Sequence, residues 1–334
     1  MPKVSVILTS FNHRDFLHAS IDSVIAQTFQ DFELIIIDDG STDESWDIIS
    51  NYPDPRVITF RATRNTGGVP ILNHAITDLL SGEFIAIHHS DDIWDPRKLE
   101  EQIAVFEMRA DIGAVFTWAE VVDERRSVLK DTSHFYYNIF EQNNHTRHEW
   151  LNLFLTQGNV LCHPSVLIRR ECYEKCGLYT NGMAQITDLD MWVRLCLKFE
   201  IFVLPKKLIQ FRVLDNERNA SGCRPETVVR CGFEFYRLLE NFYARIDFSE
   251  LEKIFPSAKE FDRGVDTILS IAFGMTILKE LSSPVAQLFA LNLLFQALSE
   301  QETSNIAKEK YEFDHLAFIQ LSGKYDVFSR MTLS

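Results

Sequence analysis

Apolar positions in the first hundred residues fall into two alternating textures. "VSVIL" (Val4–Leu8), "FELIII" (Phe32–Ile37), "RVITF" (Arg56–Phe60) and "EFIAI" (Glu83–Ile87) are short continuous runs with many β-branched residues. That is the pattern of strands buried on both faces. Between them, apolar residues recur at helical spacing: Phe16, Leu17, Ile21, Val24 and Ile25, then Trp46, Ile48 and Ile49, then Leu72, Ala75, Ile76 and Leu79. Ser41 with Glu44 predicts a capping box before the second helix. Asp95 followed by Pro96 predicts a capped helix start after the fourth strand. Such alternation specifies a parallel α/β sheet. A fifth strand is expected from Gly113, then an irregular polar excursion over residues 124–147, a helix at "EWLNLFL" and a strand over Val160–Arg170. A helix from Thr187 and strands at "IFVL" and "LIQFRV" follow. Past Arg224 three long helical stretches take over, "ETVVRCGFEFYRLLENFYARI", "RGVDTILSIAFGMTILKEL" and "VAQLFALNLLFQALSE". A domain boundary is therefore expected near residue 225, separating 1–224 from 225–334.

In parallel α/β sheets, ligands bind beyond the carboxyl ends of the strands. "TSFN", "DDGS" and "SDD" each follow a strand, so all three would gather on one edge. Charge sharpens the picture: 33 Lys and Arg against 48 Asp and Glu leave a net charge of −15. No basic face is left for a nucleic-acid backbone, and an anionic substrate needs a cation or a local basic group at its site. Asp91 and Asp92 close an apolar run, led in by His88 and His89. Adjacent carboxylates beside a buried strand repel and are poorly solvated. A turn would tolerate them. A hard cation such as Mg²⁺ or Mn²⁺, shared with a diphosphate, would relieve both the repulsion and the charge conflict. Asp38 and Asp39 before Gly40 read as a turn, or as acceptors for base N–H or ribose hydroxyl groups. The six cysteines form no CxxC pair, which suits idle reduced thiols and a cytoplasmic setting. Met1-Pro2-Lys3 leads directly into a strand, so no leader is expected, and no apolar run reaches the roughly 20 residues of a bilayer span.

The ordered set "VSVILTSFN", "IIIDDGSTD", "RNTGG…LNHAI", "GEFIAIHHSDD", "HPSVLIRR", "TDLDMWVRL" and "FRV" resembles glycosyltransferase family 2, nucleotide-sugar enzymes of GT-A fold. The resemblance implies a Rossmann-like, mixed but mostly parallel sheet flanked by helices, followed here by a helical C-terminal subdomain. It implies that Thr9, Phe11 and Asn12 border the nucleotide, that Asp39 contacts a uracil, and that Arg64, Asn65 and Gly67 line the same pocket. Asp92 would be the nearest ligand of Mn²⁺ or Mg²⁺, with Asp91 a second ligand and partly a ribose contact. His163 in "CHPS" would border a sugar, or be structural. In "TDLDMW", Asp188 is the candidate base and Asp190 the second, against the rival reading that Thr187 simply caps a helix. Arg194 and Arg212 read as structural ion pairs rather than phosphate clamps. Three departures stand out: His89 where relatives carry Asp, Thr187 where they carry Glu, and Leu214-Asp215-Asn216 where they place a histidine.

The implied activity is inverting, metal-dependent, non-processive transfer of a sugar from a UDP-sugar to a hydroxyl of a glycan, glycolipid or glycoprotein, in surface polysaccharide or glycoconjugate synthesis. The processive QxxRW motif is absent. A catalytically decayed nucleotide-sugar-binding or scaffold protein is the alternative, and a nucleotidyltransferase a weaker one, because "TSFNHRD" is no glycine-rich basic loop. The helical tail would pack on its own chain, position the acceptor or join a homo-oligomer. Any membrane association would be peripheral, at the inner face.

Overall fold

The strand and helix alternation is realised as β1 (Val4–Ser10), α1 (Arg14–Ile25), β2 (Phe32–Asp38), α2 (Ser45–Ser50), β3 (Val57–Arg61), α3 (Gly68–His74) and β4 (Phe84–His89). Then come β5 (Ile93–Trp94), α4 (Lys98–Met108), β6 (Ile112–Val122), α5 (Arg147–Gln157), β7 (Leu167–Arg169), α6 (Arg170–Cys176), α7 (Thr187–Cys196) and β8 (Glu200–Arg212). The computed structural model describes residues 1–214, 219, 222 and 224–328. By contacts it divides into Met1–Arg147 with Asn159–Arg224, and His148–Gly158 with Pro225–Ser334.

The first unit holds one eight-stranded sheet in the order β3-β2-β1-β4-β7-β6-β8-β5. β1 to β4 are mutually parallel, β7 runs antiparallel to β4 and β6, and β8 is parallel to β6 but antiparallel to β5. Register brings Ser10 beside Asp38, Thr9 beside His89 and Asp38 beside Arg61. The carboxyl ends of β1, β2, β3 and β4 thus form a single line, at the point where strand order reverses about β1. Val4, Val6 and Leu8 of β1 and Leu34 and Ile36 of β2 share a core cluster with Leu17, Ile21 and Val24 of α1 and Leu99, Ile103 and Phe106 of α4.

Local expectations fail in four places, each for a physical reason. Ser41 does not close a capping box; its hydroxyl accepts the N–H of Asn12 (2.9 Å), and α2 begins only at Ser45. Asp95 precedes a turn instead of capping α4: its carboxylate accepts the N–H of Arg97 and the helix starts at Lys98. The strand expected over Val160–Arg170 shrinks to β7, because His163-Pro164-Ser165 forms a 3₁₀ turn and proline cannot donate to a ladder. "IFVL" and "LIQFRV" are one strand, with Pro205 absorbed by a register shift against Thr117–Ala119 of β6. The sequence offered no sign that Lys98 is wholly buried. Its Nζ donates to Gln102 (2.8 Å) and lies 4.0 Å from the centre of the Trp94 ring. Gln102 in turn donates to the carbonyls of Val115 and Ser165, and Trp94 Nε1 to that of Pro164. This network pins the 163–165 turn to β6 and α4.

The second unit is helical. Besides α5 it contains α8 (Pro225–Tyr243), α9 (Phe248–Ile254), α10 (Leu269–Glu280), α11 (Pro284–Ser299), α12 (Gln301–Tyr311) and α13 (His315–Ser322). Most of the apolar surface of α11 is covered by α8, α10, α12 and α13 of the same chain, with Phe295 left 58% exposed. Gly274 permits the close approach of α10: a Cβ there would sit 2.9 Å from Leu294 Cγ. Among the described residues no helix is long and apolar enough to cross a membrane.

Candidate active site

The loop after β1 is stitched to the loop after β2. Asn12 takes a left-handed backbone (φ 54°), and its Oδ1 accepts the N–H of Thr42 at 2.8 Å. Thr9 is half-buried and Phe11 is 41% exposed at this edge. Asp39 is buried and holds the next loop: Oδ1 accepts the N–H (2.8 Å) and hydroxyl (3.0 Å) of Thr66, and Oδ2 accepts the N–H of Gly67 (3.0 Å). Both oxygens of Asp39 therefore hold this loop in place. Arg64 and Asn65 are exposed on the same loop, and Asn65 Oδ1 also accepts the Gly67 N–H (3.1 Å). Arg64 has no ion pair among the described residues, so the edge keeps one available basic group. Gly40 (φ 74°) makes this packing possible, since a Cβ would lie 2.6 Å from the Arg64 carbonyl carbon. Gly40→Ala is expected to cost more than about 1 kcal/mol and to speed amide hydrogen exchange at Thr66 and Gly67. Unchanged exchange there would show that the loop does not depend on that contact.

The loop after β4 carries the acidic pair. His88 is fully buried, with Nε2 2.9 Å from the Ser20 hydroxyl, which donates to the His89 carbonyl (3.0 Å). His13 Nδ1 lies 2.7 Å from the Ser90 hydroxyl and ties the β1 loop to this one. Asp91 and Asp92 are 7% and 1% exposed. Asp92 Oδ1 accepts the backbone N–H of Arg212 at 2.8 Å. The Arg212 guanidinium donates to the carbonyls of Asp91 and Glu124 at 2.7 and 2.6 Å and lies over the Phe16 ring. Arg212 is thus structural, as expected, but as a clamp on backbone carbonyls instead of a partner in a short side-chain ion pair.

Among the described residues Asp92 Oδ2 is buried without a hydrogen-bond partner, and the His89 Nδ1 stands 3.7 Å away. Burial, then the charge of Asp91, holds the Asp92 carboxyl well above the usual carboxylate range. One ligand atom from each of His89, Asp91 and Asp92 can be found within 4.8 Å of one another. A buried carboxylate oxygen lacking any donor is a liability in a folded protein, and a divalent cation would satisfy it. The residues present therefore fit such an ion.

At α7 the two candidate bases separate. Asp188 is half-buried; its Oδ2 accepts from Asn159 Nδ2 (2.6 Å) and its Oδ1 from the Leu189 N–H (2.8 Å). Asp190 is buried, and its Oδ2 accepts from the Thr180 hydroxyl (2.7 Å) and from Arg194 Nε and Nη2 (3.0 and 2.8 Å). That oxygen is held in the buried ion pair with Arg194, which counts against Asp190 as a second base. Asp190→Ala is expected to destabilise the fold by about 3–5 kcal/mol, because it strands a buried guanidinium; chemical denaturation measures this. Thr187 is the first helical residue, and among the described residues its buried hydroxyl has no hydrogen-bond partner.

His163 connects the two halves of the site. Its Nε2 lies 3.0 Å from the Tyr179 hydroxyl, and its ring centre is 5.2 Å from that of His89 and 5.7 Å from that of Trp192. Burial, then His89, holds the His163 imidazole well below its usual pKa, so it is neutral near pH 7. His13, Ser90, Asn159 and Tyr179 were not singled out from sequence; each acquires its role only through a partner distant in the chain. Asp215 and Asn216 lie outside the described residues.

A family model described as glycosyl transferase family 2 matches residues 5–177, the stretch that carries β1 to β7 and the acidic loop. The chain belongs to glycosyltransferase family 2. An uncharacterized glycosyltransferase of Methanocaldococcus jannaschii is 27% identical to this glycosyltransferase over 243 residues, 71% of this chain and 78% of the relative. WfaP of Escherichia coli, a UDP-Glc:alpha-D-GlcNAc-diphosphoundecaprenol beta-1,3-glucosyltransferase, is 36% identical over 107 residues, 32% of this chain and 42% of that enzyme. Among the first curated relatives the shared stretch spans between 52% and 78% of their own length. In fold, the glycosyltransferase is similar to S. aureus TarS 1–349 in complex with UDP-GlcNAc, with a TM-score of 0.60, 15% identity, and coverage of 97% of this chain and 91% of that one. Its mixed, mostly parallel sheet with flanking helices and helical C-terminal region is of GT-A type.

Proposed function

We propose that this glycosyltransferase moves a single sugar, with inversion, from a UDP-sugar to a hydroxyl of a glycan, glycolipid or glycoprotein in surface polysaccharide or glycoconjugate synthesis. The observation that carries the reading is the buried, donorless oxygen of Asp92 at the carboxyl edge of the sheet, on a chain whose net charge of −15 would otherwise repel a nucleotide diphosphate. The names of WfaP and of the TarS complex, which mention UDP-glucose and UDP-GlcNAc, support a UDP-sugar donor. Thr9, Phe11, Asn12, Asp39, Arg64, Asn65 and Gly67 would border the nucleoside and Asp91 its ribose. Asp92 and Asp91 would hold Mn²⁺ or Mg²⁺. When bound, the ion supplies charge neutralisation to the diphosphate leaving group.

The protein's own part is then positioning and proton transfer. The Asp188 carboxylate, oriented by Asn159 and the Leu189 N–H, takes the proton from the acceptor hydroxyl. The acceptor oxygen bonds to the anomeric carbon from the face opposite the nucleotide, the bond from that carbon to the diphosphate breaks, and UDP leaves with the electron pair. One protein acid/base group is enough, because no proton has to reach the leaving group. His163 would border the sugar. A panel of UDP-sugars assayed for UDP release with Mn²⁺ tests the proposal: one donor is expected to be turned over. No release from any donor, together with no metal-dependent UDP binding, would point instead to a decayed scaffold.

A further inference from the structure

Building on that reading, we infer that His89 is a nitrogen ligand of the divalent ion and biases the site toward Mn²⁺, Co²⁺ or Zn²⁺ over Mg²⁺ and Ca²⁺. Three features of the loop carry this. First, the Asp92 side chain is 1% exposed and its Oδ2 has no donor among the described residues, with His89 Nδ1 3.7 Å away. Cis ligand atoms on an octahedral ion with bonds near 2.1 Å stand about 3.0 Å apart, and trans atoms about 4.2 Å. The observed gap falls between these, so a small rotation of the ring closes it. Second, neither ring nitrogen of His89 makes a hydrogen bond among the described residues, so its imidazole is not spent on holding the fold. Third, the backbone of His89 is fixed. Its carbonyl accepts from the Ser20 hydroxyl (3.0 Å) and from the Asp92 N–H (3.2 Å), and its ring rests edge-on against His163. The nitrogen is thereby presented to the carboxylates at little further cost in ordering.

The chemistry of the set then decides selectivity. Two carboxylates with one imidazole suit borderline transition ions, whereas Mg²⁺ and Ca²⁺ favour oxygen donors throughout. The neighbouring imidazole of His163 has its Nε2 engaged by the Tyr179 hydroxyl, and the His163→Gln variant tests its Nδ1 as a rival nitrogen source.

Pulsed electron paramagnetic resonance on the full chain with Mn²⁺ and UDP tests the inference directly. A ¹⁴N coupling of directly bound imidazole is expected in the wild type and in His163→Gln, and is expected to vanish in His89→Asp. In competition titrations His89→Asp should lower the ratio of Co²⁺ to Mg²⁺ affinity by about tenfold. Should His89→Asp fail to fold, the wild-type and His163→Gln spectra still decide. Bound Mn²⁺ without nitrogen coupling in the wild type overturns this inference and leaves the proposed function standing, as does coupling lost only in His163→Gln. Failure to bind any divalent ion with UDP present overturns both.

Discussion

Asp92→Asn is expected to lower kcat by roughly 10²–10³-fold, the scale on which enzymes lose rate when one fixed stabiliser of developing charge is removed. The same change is expected to leave the metal-free fold at least as stable as the wild type. Those two outcomes rarely accompany each other in a buried residue, and the reason lies in the local electrostatics. Asp92 is enclosed, stands beside Asp91, and is held well above the usual carboxylate range by burial. An amide of the same shape removes the cost of burying charge. It also keeps an oxygen for the Arg212 N–H, now accepted by Oδ1 at 2.8 Å. Steady-state kinetics and urea unfolding without divalent ions check the pair. A large loss of stability with no specific loss of turnover would mark Asp92 as a structural residue and remove the basis of the proposed mechanism.

Asp188→Asn is the second large effect. Loss of a general base costs about 10²–10⁴-fold in rate, and that loss should fall on kcat while UDP affinity stays as in the wild type. The asparagine retains an oxygen for Asn159 or for the Leu189 N–H, so the turn into α7 should survive. Asp190 provides the internal control. It lies two residues along the same helix, yet its carboxylate is bound to Arg194 and Thr180. Its removal should reach activity only through stability. If Asp190→Asn instead lost turnover at full stability while Asp188→Asn did not, the two roles would have to be exchanged.

Much of the site was legible in advance. β1, β2, β3 and β4 lie where their apolar runs place them, within two residues at either end. The polar segments behind β1, β2 and β4 share one edge because parallel strands must end on the same side. The less legible parts depend on partners far along the chain. Ser41 looks like a cap in sequence, but Asn12 reaches it first. Val160–Arg170 is apolar enough for a long strand, yet Pro164 interrupts the ladder. The apolar surface of α11 left packing on its own chain and a second subunit both open, and neighbouring helices of its own chain cover most of it.

By itself the sequence determined the α/β alternation, the parallel half of the sheet and the collection of Asp39, Asp91 and Asp92 at its carboxyl edge. Periodicity reports which face of a local element avoids water, and that information is contained in a few consecutive residues. Only the tertiary structure decided that Asp92 has one oxygen bound by Arg212 and the other left without a donor among the described residues, that Asp39 is engaged by the Thr66–Gly67 loop, and that Asp190 is held in an ion pair with Arg194. Those outcomes rest on which donors arrive from elsewhere in the chain, and hydrogen-bond partnership across such separations leaves no local pattern to read.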